Sequence, residues 1–277
     1  MLCYVTQKLK EAGLVIMRII IFSQIFIGYV AIVIGAVLVE TVAQEKVLRL
    51  PILDQSIEYH GGDLYESSTV SLKITSLSGS FNIEADLGNN FDYTVIGEVG
   101  RDNKYLRKVN YTNTAVREWR DGEEVKLDEA LAGSARNFVN ARVFFPFLPY
   151  GLNGENVFKE DLGIEEWEGV RLHKVRVSFK LGTSTDAEDT YMYWFDPETG
   201  RVEQFAYDFK VGNGGLRFRK PLKFKRVGGI LFSDQENYAA NGPGLSVNLL
   251  TPDYVRNKMK LLSTIRVSDV QVEPEGS

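Results

Sequence analysis

Few side chains of the usual catalytic types are available to this sequence. Its 277 residues include two histidines, His60 and His173, and one cysteine, Cys3. A zinc or nucleophilic centre needs several such groups at characteristic spacing. The motifs His-Glu-x-x-His, Cys-x-x-Cys, Gly-x-Ser-x-Gly, Ser-x-x-Lys and Gly-Lys-Ser/Thr do not occur. The sequence therefore predicts no catalytic residue, no metal site and no cofactor.

Both histidines have a structural interpretation. His60 ends a predicted helix before Gly61 and Gly62, where an imidazole can serve the last helical carbonyls. The alternative is a ligand contact at the rim of a cavity. His173 begins a predicted strand, and we expect it to be hydrogen-bonded at the sheet edge rather than to act as a base.

Two polar clusters give weaker signals. Asp186-Ala-Glu-Asp189 lacks the ligand spacing of a calcium loop, so a hairpin tip is predicted there. In Glu165-Glu-Trp-Glu168, adjacent strand residues point to opposite faces. We therefore predict a turn with one buried Trp there, not a pair of acid/base carboxylates.

Aromatic residues carry the strongest pattern. Seven lie between positions 191 and 209, and alternation places Tyr191, Tyr193 and Phe195 on one face of a strand. Phe205 and Tyr207 share a face of the neighbouring strand. So bulky a wall requires either a deep core or an apolar ligand against it, and the pattern leaves both open.

A second apolar segment follows the only long helix predicted mid-chain, residues 128–145. Residues 143–150 contain four aromatics, and Pro146 and Pro149 prevent the helix from continuing. We predict that this segment packs across the mouth of the sheet, as core or as a movable lid. The resulting candidate ligand-binding residues are Phe138, Phe145, Phe147, Leu148, Tyr150, Tyr191, Tyr193, Phe195, Phe205 and Tyr207.

A basic stripe alternates with apolar residues between positions 216 and 226. It could meet anionic lipid head groups, although a solvated sheet face is the simpler interpretation. The basic residues are Arg217, Arg219, Lys220, Lys223, Lys225 and Arg226.

The elements that position these groups are mostly strands. Period-two alternation over about ten segments, with two helices, predicts a mainly β (α+β) fold. So large an antiparallel sheet curls. We expect a half-open barrel with helices on its concave face.

The N-terminal region predicts export. Residues 19–39 carry no charge and are long enough to cross a bilayer, and Thr41-Val-Ala43 resembles a signal-peptidase site. Residues 1–43 are therefore a signal peptide or a membrane anchor, and Met17 is an alternative start. Residues 44–277 form one domain, in the periplasm or on the outer face of the cytoplasmic membrane.

Charge narrows the range of partners. The chain has 32 basic and 37 acidic residues, a net charge of −5. Binding nucleic acid without a basic surface is unfavourable, so no nucleic-acid partner is expected. The expected partners are an apolar ligand, such as a lipid or acyl chain, an envelope protein, and the membrane at the N-terminal segment.

Several short segments, in order, resemble an exported bacterial family of unknown function assigned to the LolA/LolB-like superfamily. They are Ile57-Glu-Tyr-His-Gly-Gly62, Glu118-Trp-Arg-Asp-Gly122, Phe144-Phe-Pro-Phe-Leu-Pro-Tyr150, Tyr193-Trp-Phe-Asp-Pro-Glu-Thr-Gly200 and Arg226-Val-Gly-Gly229. The resemblance implies a long curved antiparallel sheet closed by mid-chain helices, and binding of something apolar outside the cytoplasm. Many relatives look like lipoproteins, whereas this chain lacks the required cysteine after its apolar run.

The hypothesis from sequence is a non-enzymatic exported protein that binds a lipid, acyl chain or lipoprotein. The alternatives are a filled-core interaction or scaffold domain of the cell envelope and, third, an envelope hydrolase. An aromatic cavity of several hundred Å³ would favour the first, and a solid core the second.

Overall fold

The computed structural model describes residues 49–88, 90–180, 189–210 and 213–274. The predicted leader, residues 1–43, lies outside the described residues, as do residues 186–188 of the acidic cluster. Within the described stretches, no helix is both long and apolar enough to span a membrane.

One antiparallel sheet organises the described residues. Its thirteen strands run in the order β6-β5-β4-β3-β2-β1-β13-β12-β11-β10-β9-β8-β7, so β6 and β7 are its two edges. The first six strands are β1 Ser68–Ser76, β2 Gly79–Asp86, β3 Asp92–Val99, β4 Tyr105–Thr112, β5 Val116–Arg120 and β6 Glu123–Val125. The others are β7 Val157–Trp167, β8 Val170–Phe179, β9 Thr190–Phe195, β10 Val202–Phe209, β11 Gly215–Val227, β12 Ile230–Asn241 and β13 Lys260–Pro274. The predicted fold class, a large unclosed antiparallel sheet with few helices, is confirmed.

Three α-helices accompany the sheet in the described residues: α1 Pro51–His60, α2 Glu129–Val143 and α3 Pro252–Lys258. Pro51 stands in the first turn of α1 rather than kinking it, because a proline there loses no helical hydrogen bond. Asp128 caps α2 by accepting a hydrogen bond from the Leu131 N–H at 2.8 Å. A 3-10 turn, Phe145–Phe147, follows α2.

One face of the sheet, which we call the inner face, is covered by α1, α2 and the segment after α2. Helix α2 packs against strands from β2 to β5. Farther along, Phe144 contacts Tyr191 on β9 and Phe147 contacts Phe232 on β12. Because one continuous segment reaches strands so far apart in the order, the sheet must wrap around it.

Helix α1 is held closely against the turn between β9 and β10. Gly200 has φ +77°, and a side chain there would lie 2.8 Å from the Ser56 nitrogen. The Asp196 carboxylate closes this turn by accepting hydrogen bonds from the Glu198 and Thr199 N–H groups. The Asp-Pro-Glu-Thr-Gly sequence therefore forms a tight turn, and α1 packs directly against it.

The opposite, outer face is also covered along β8–β12. Trp194 and Phe218 are buried there beneath α3 and the 3-10 turn Val247–Leu249. In consequence β11 turns Leu216 and Phe218 outward, and Arg219 faces inward, beside Phe205 of β10. The interpretation of the basic stripe as a solvated face is wrong for Arg219, which is 7% exposed.

Two elements were not anticipated. Strand β7 includes Glu165 and Trp167, so the turn predicted over residues 165–168 is wrong for residues 165–167. The turn is formed by Glu168 and Gly169, both with positive φ. A bulge between Asp161 and Ile164 interrupts its alternation, which hides the strand in the sequence. Helix α3 has only seven residues, too few for a periodic pattern. The burial of Trp167 is confirmed.

Candidate functional site: an aromatic cavity beneath the segment after helix α2

Residues 144–150, which we call the lid segment, separate two cavities on the inner face. Phe144 and Phe147 line one cavity, of about 310 Å³. Phe145 and Pro146 line the other, of about 610 Å³. Both volumes fall in the range of about 300–1,000 Å³ that is typical of ligand pockets.

The smaller space, which we call the aromatic cavity, is bounded mostly by rings. Its lining residues are Leu87, Phe91, Tyr93, Tyr111, Asn140, Val143, Phe144, Phe147, Tyr150, Gly151, Phe179 and Tyr191. Eight of these twelve are aromatic, and no charged side chain is among them. An apolar ligand therefore meets no uncompensated charge on this wall.

The sheet positions one wall of this cavity through strand register. Tyr93 on β3 pairs directly with Tyr111 on β4. Phe91 stacks on Tyr93 at a centroid distance of 4.8 Å and meets Tyr111 edge-on at 5.1 Å. Burial raises the pKa of Tyr93 to about 12, with smaller contributions from Asp86 and Tyr111, so its hydroxyl stays neutral.

The lid segment supplies the facing wall. Tyr150 donates a hydrogen bond from its hydroxyl to the Leu87 carbonyl at 2.8 Å. Burial, with nearby Glu66, raises the Tyr150 pKa, which keeps the donor protonated. Phe144 makes edge-on contacts with Phe179 and Tyr191, at 6.1 and 5.8 Å.

The ten candidate residues from the sequence separate into three groups. Phe147, Tyr150 and Tyr191 line the aromatic cavity, and Phe145 lines the larger one. Five belong to buried clusters and line neither cavity: Phe138, Leu148, Tyr193, Phe195 and Phe205. Tyr207 is half-buried and stacks on Phe145 at 5.3 Å.

Five cavity aromatics were missed: Phe91, Tyr93, Tyr111, Phe144 and Phe179. Tyr93, Tyr111 and Phe179 lie on three different strands, and Phe91 immediately precedes β3. These four residues therefore do not form a dense cluster in the sequence. The available signal was the alternation of Phe91, Tyr93 and Val95. It marks an apolar face without showing whether anything covers it.

Both histidines have the structural roles predicted for them. His60 Nδ1 donates to the Ser56 carbonyl at 2.8 Å, and its Nε2 faces the Val202 N–H at 3.5 Å. Burial lowers the His60 pKa to about 4, in keeping with a neutral ring. His173 Nε2 lies 2.7 Å from a carboxylate oxygen of Asp161, near the edge strand.

A buried carboxylate, Glu118, is the main acidic group on the inner face. It pairs with Arg107 at 2.6 Å and with Arg120 at 2.8 Å. These two partners lower its pKa although burial alone would raise it. An ionised, doubly paired carboxylate is a structural ion pair rather than a general acid. Among the described residues, no group of three or more His, Cys, Asp and Glu side chains is placed to hold a metal.

Solved structures similar to the chain are distant in sequence. A LolA superfamily protein from Nitrosomonas europaea is 12% identical, with a TM-score of 0.44, over 79% of this chain and 91% of that one. A DUF1329 family protein from Desulfovibrio piger is 11% identical, with a TM-score of 0.41, over 82% and 93%. Lipoprotein LppX from Mycobacterium tuberculosis is 10% identical, with a TM-score of 0.30, over 60% and 88%.

Comparison of the sequence with known proteins and family models assigns the chain more directly than the solved structures do. A comparison with curated proteins finds no match. One family model, described as a family of unknown function, matches residues 29–267. This match confirms the predicted resemblance to such a family. The chain belongs to the family of unknown function DUF6503.

Proposed function

We propose that the chain is an exported, non-enzymatic protein that holds an apolar ligand, a lipid or acyl chain, in the aromatic cavity. The observation that carries this proposal is the cavity of about 310 Å³ with eight aromatic rings in its lining and no charge. Phe147, Tyr150 and Tyr191 provide ligand contacts predicted from the sequence. Phe91, Tyr93 and Tyr111 complete the wall.

The driving force for binding is the apolar area that these rings leave uncovered. Phe91, Tyr93 and Tyr111 are only half-buried, and each Å² of apolar surface removed from water contributes about 25 cal/mol. An acyl chain covers ring faces without needing hydrogen bonds. The ligand is therefore recognised by shape and apolarity.

The lid segment gives the ligand a route of entry. Its closure over the cavity depends on ring contacts of Phe144 and on the Tyr150–Leu87 hydrogen bond. Buried Phe147 anchors it against Phe232. A movement of residues 144–150 would open the cavity without disturbing strand pairing in the sheet.

The proposed location is outside the cytoplasm. It rests on the uncharged residues 19–39 and on Thr41-Val-Ala43. N-terminal sequencing of the protein from the envelope fraction should begin at Gln44. An intact N-terminus in the membrane pellet would establish an anchor instead, and recovery from the cytosol would refute export.

Binding of a fluorescent fatty acid tests the ligand site. The purified domain, residues 44–277, should bind the probe, and Phe91→Glu should weaken binding at least tenfold because it places a charge on the apolar wall. Leu106→Glu is the matched control, since Leu106 is exposed on β4 and lines neither cavity. Native mass spectrometry of protein from its own envelope should show co-purified lipid. Failure of the wild type to bind the probe, with no lipid retained, would refute the proposal.

A second candidate, a filled-core interaction domain that binds an envelope protein, is favoured by one observation. Tyr193, Phe195 and Phe205 are buried in the wall of β9 and β10 and line neither of the two cavities described above. This second candidate function would be supported if neither the fluorescent probe nor lipid binds and if one envelope protein co-purifies with the chain at a fixed molar ratio.

A further inference from the structure

The larger space on the inner face, which we call the arginine cavity, lies on the other side of the lid segment. It has a volume of about 610 Å³ and is bounded by the β1–β2 turn, the β3–β4 loop, the end of α2 and strands β11–β13. Its lining includes three arginines, Arg101, Arg142 and Arg219, and no acidic side chain, although the whole chain has a net charge of −5.

Arg219 is fixed deep in this cavity. It donates to Gln235 Oε1 at 3.1 Å and to the Tyr207 hydroxyl at 3.2 Å. Its guanidinium carbon lies 3.7 Å from the centroid of the Phe145 ring. Its buried Nε–H has no hydrogen-bond partner among the described residues. The planar group is therefore held in one orientation with donor capacity left over.

Arg142 approaches from the last turn of α2. One nitrogen donates to the Phe138 carbonyl at 2.7 Å, and the guanidinium carbon lies 4.0 Å from the Phe81 ring centroid. Its Nε–H also lacks a partner. Burial, with the nearby charge of Arg107, lowers the Arg142 pKa to about 10, which leaves the group charged at neutral pH.

Neither charge is paired with a carboxylate of the described residues. Within the described residues, the hydrogen bonds and ring contacts of Arg142 and Arg219 include no carboxylate. Arg107 is the contrasting case on the same face, because Glu118 pairs with it at 2.6 Å. Placing two guanidinium groups in one cavity without a counter-charge is costly, and an anion bound in that cavity would offset the cost.

We propose that the arginine cavity binds the acidic group, carboxylate or phosphate, of an amphiphile. Guanidinium groups suit this role because their fork of N–H donors matches the oxygens of both anions. The mouth carries apolar surface for the remainder of the molecule, since Leu77 is 77% and Leu262 is 46% exposed. This site is separate from the aromatic cavity, so the inference does not depend on the proposed function.

Titration of the full-length wild-type protein tests the chemistry first. Calorimetry should show binding of dodecyl phosphate below its micelle concentration, weakening as NaCl is raised. Dodecanol should bind at least tenfold more weakly because it lacks the charge. Inorganic phosphate distinguishes the source: comparable affinity identifies a free-anion site, and much weaker affinity identifies an amphiphile. Equal binding of dodecanol and dodecyl phosphate would overturn the proposal.

Substitutions then assign the site. Arg219→Gln and Arg142→Gln should each weaken dodecyl phosphate binding at least tenfold, whereas Arg142→Lys should retain part of it. Arg217→Gln is the matched control, because Arg217 is on the same strand, bonds Asn241 and lines neither cavity. It should bind like the wild type. Unchanged binding in both Gln variants would overturn the proposal.

The experiments distinguish failure of the proposal for the arginine cavity from failure of the proposal for the aromatic cavity. Phe91→Glu should leave the salt-sensitive binding of dodecyl phosphate intact, and Arg219→Gln should leave uptake of a neutral apolar probe intact. If Arg219→Gln does not fold, the wild-type comparison of dodecyl phosphate with dodecanol still decides the matter.

Discussion

Two aromatic walls of the inner face differ in what covers them. On β9 and β10, Tyr193 and Phe205 stack at 5.9 Å and are fully buried beneath α1 and neighbouring apolar residues. On β3 and β4, Tyr93 and Tyr111 are paired in register yet remain half-buried, and a cavity lies over them. The first wall is packed core, and the second leaves apolar surface uncovered, where we propose that the ligand binds.

The difference teaches that aromatic density alone does not identify a binding site. The densest run in the sequence, residues 191–209, mostly fills core. The rings that line the aromatic cavity belong to several strands and to the lid segment. They border one cavity because the lid segment does not fill the space above β3 and β4. A binding site differs from a core in that its apolar wall is incompletely covered by the rest of the protein, and this depends on tertiary structure.

The largest effect should come from truncating the covered wall. Phe195→Ala should lower the free energy of unfolding by about 3–5 kcal/mol, because the ring is fully buried in a cluster that includes Leu53 and Val202. Urea denaturation measures the loss. A loss under about 1 kcal/mol would show that this wall is loosely packed and would break the comparison.

The helix over the covered wall should make stability depend on pH. His60 has a pKa of about 4 when folded against 6.5 as the ordinary value, so the unfolded chain takes up the proton first as pH falls. Stability that is full above pH 6.5 should decline by about 3 kcal/mol between pH 6.5 and pH 4. Urea titrations of the wild type and His60→Gln measure this. A slope equal in both proteins would show that another group is responsible.

Truncation of the uncovered wall should affect binding more than stability. Tyr111→Ala should cost about 1 kcal/mol, since the ring is half-buried, while fatty-acid affinity falls severalfold. Denaturation and probe titration on the same sample measure both. If Tyr111→Ala is as destabilising as Phe195→Ala and leaves probe affinity unchanged, the two walls are alike.

The smallest effect should come from removing one hydroxyl. The Tyr193 hydroxyl is buried and has no hydrogen-bond partner in the part of the chain that the structure describes. Tyr193→Phe should therefore change stability by less than about 1 kcal/mol, and in the stabilising direction. A clear destabilisation would reveal a partner, and the covered wall would then include a polar contact.

Local patterns predicted local structure well. The Asp121-Gly122 dipeptide, a sequence typical of hairpin turns, forms the turn between β5 and β6, with φ of 49° and 91°. Tyr191, Tyr193 and Phe195 share a face as predicted. These features depend on residues that are close in the sequence or paired across one turn.

What could not be predicted depends on distant cover. Alternation on β11 separates Phe218 from Arg219 but does not say which of them faces α2. That choice is made by residues 247–259, which bury Phe218 on the outer face and so turn Arg219 inward. The aromatic cavity likewise depends on where the lid segment ends. The residue pattern of a single strand does not predict that position.

The two edge strands of the sheet, β6 and β7, affect how readily the chain self-associates. An unpaired strand edge can recruit another chain, and β7 exposes Phe158 and Ile164. The bulge between Asp161 and Ile164 breaks the straight run of donors and acceptors on that edge. At the other edge, β6 is only three residues long and carries Glu123 and Glu124. One edge is irregular and the other is short and acidic, so neither offers a flat template for aggregation at high concentration.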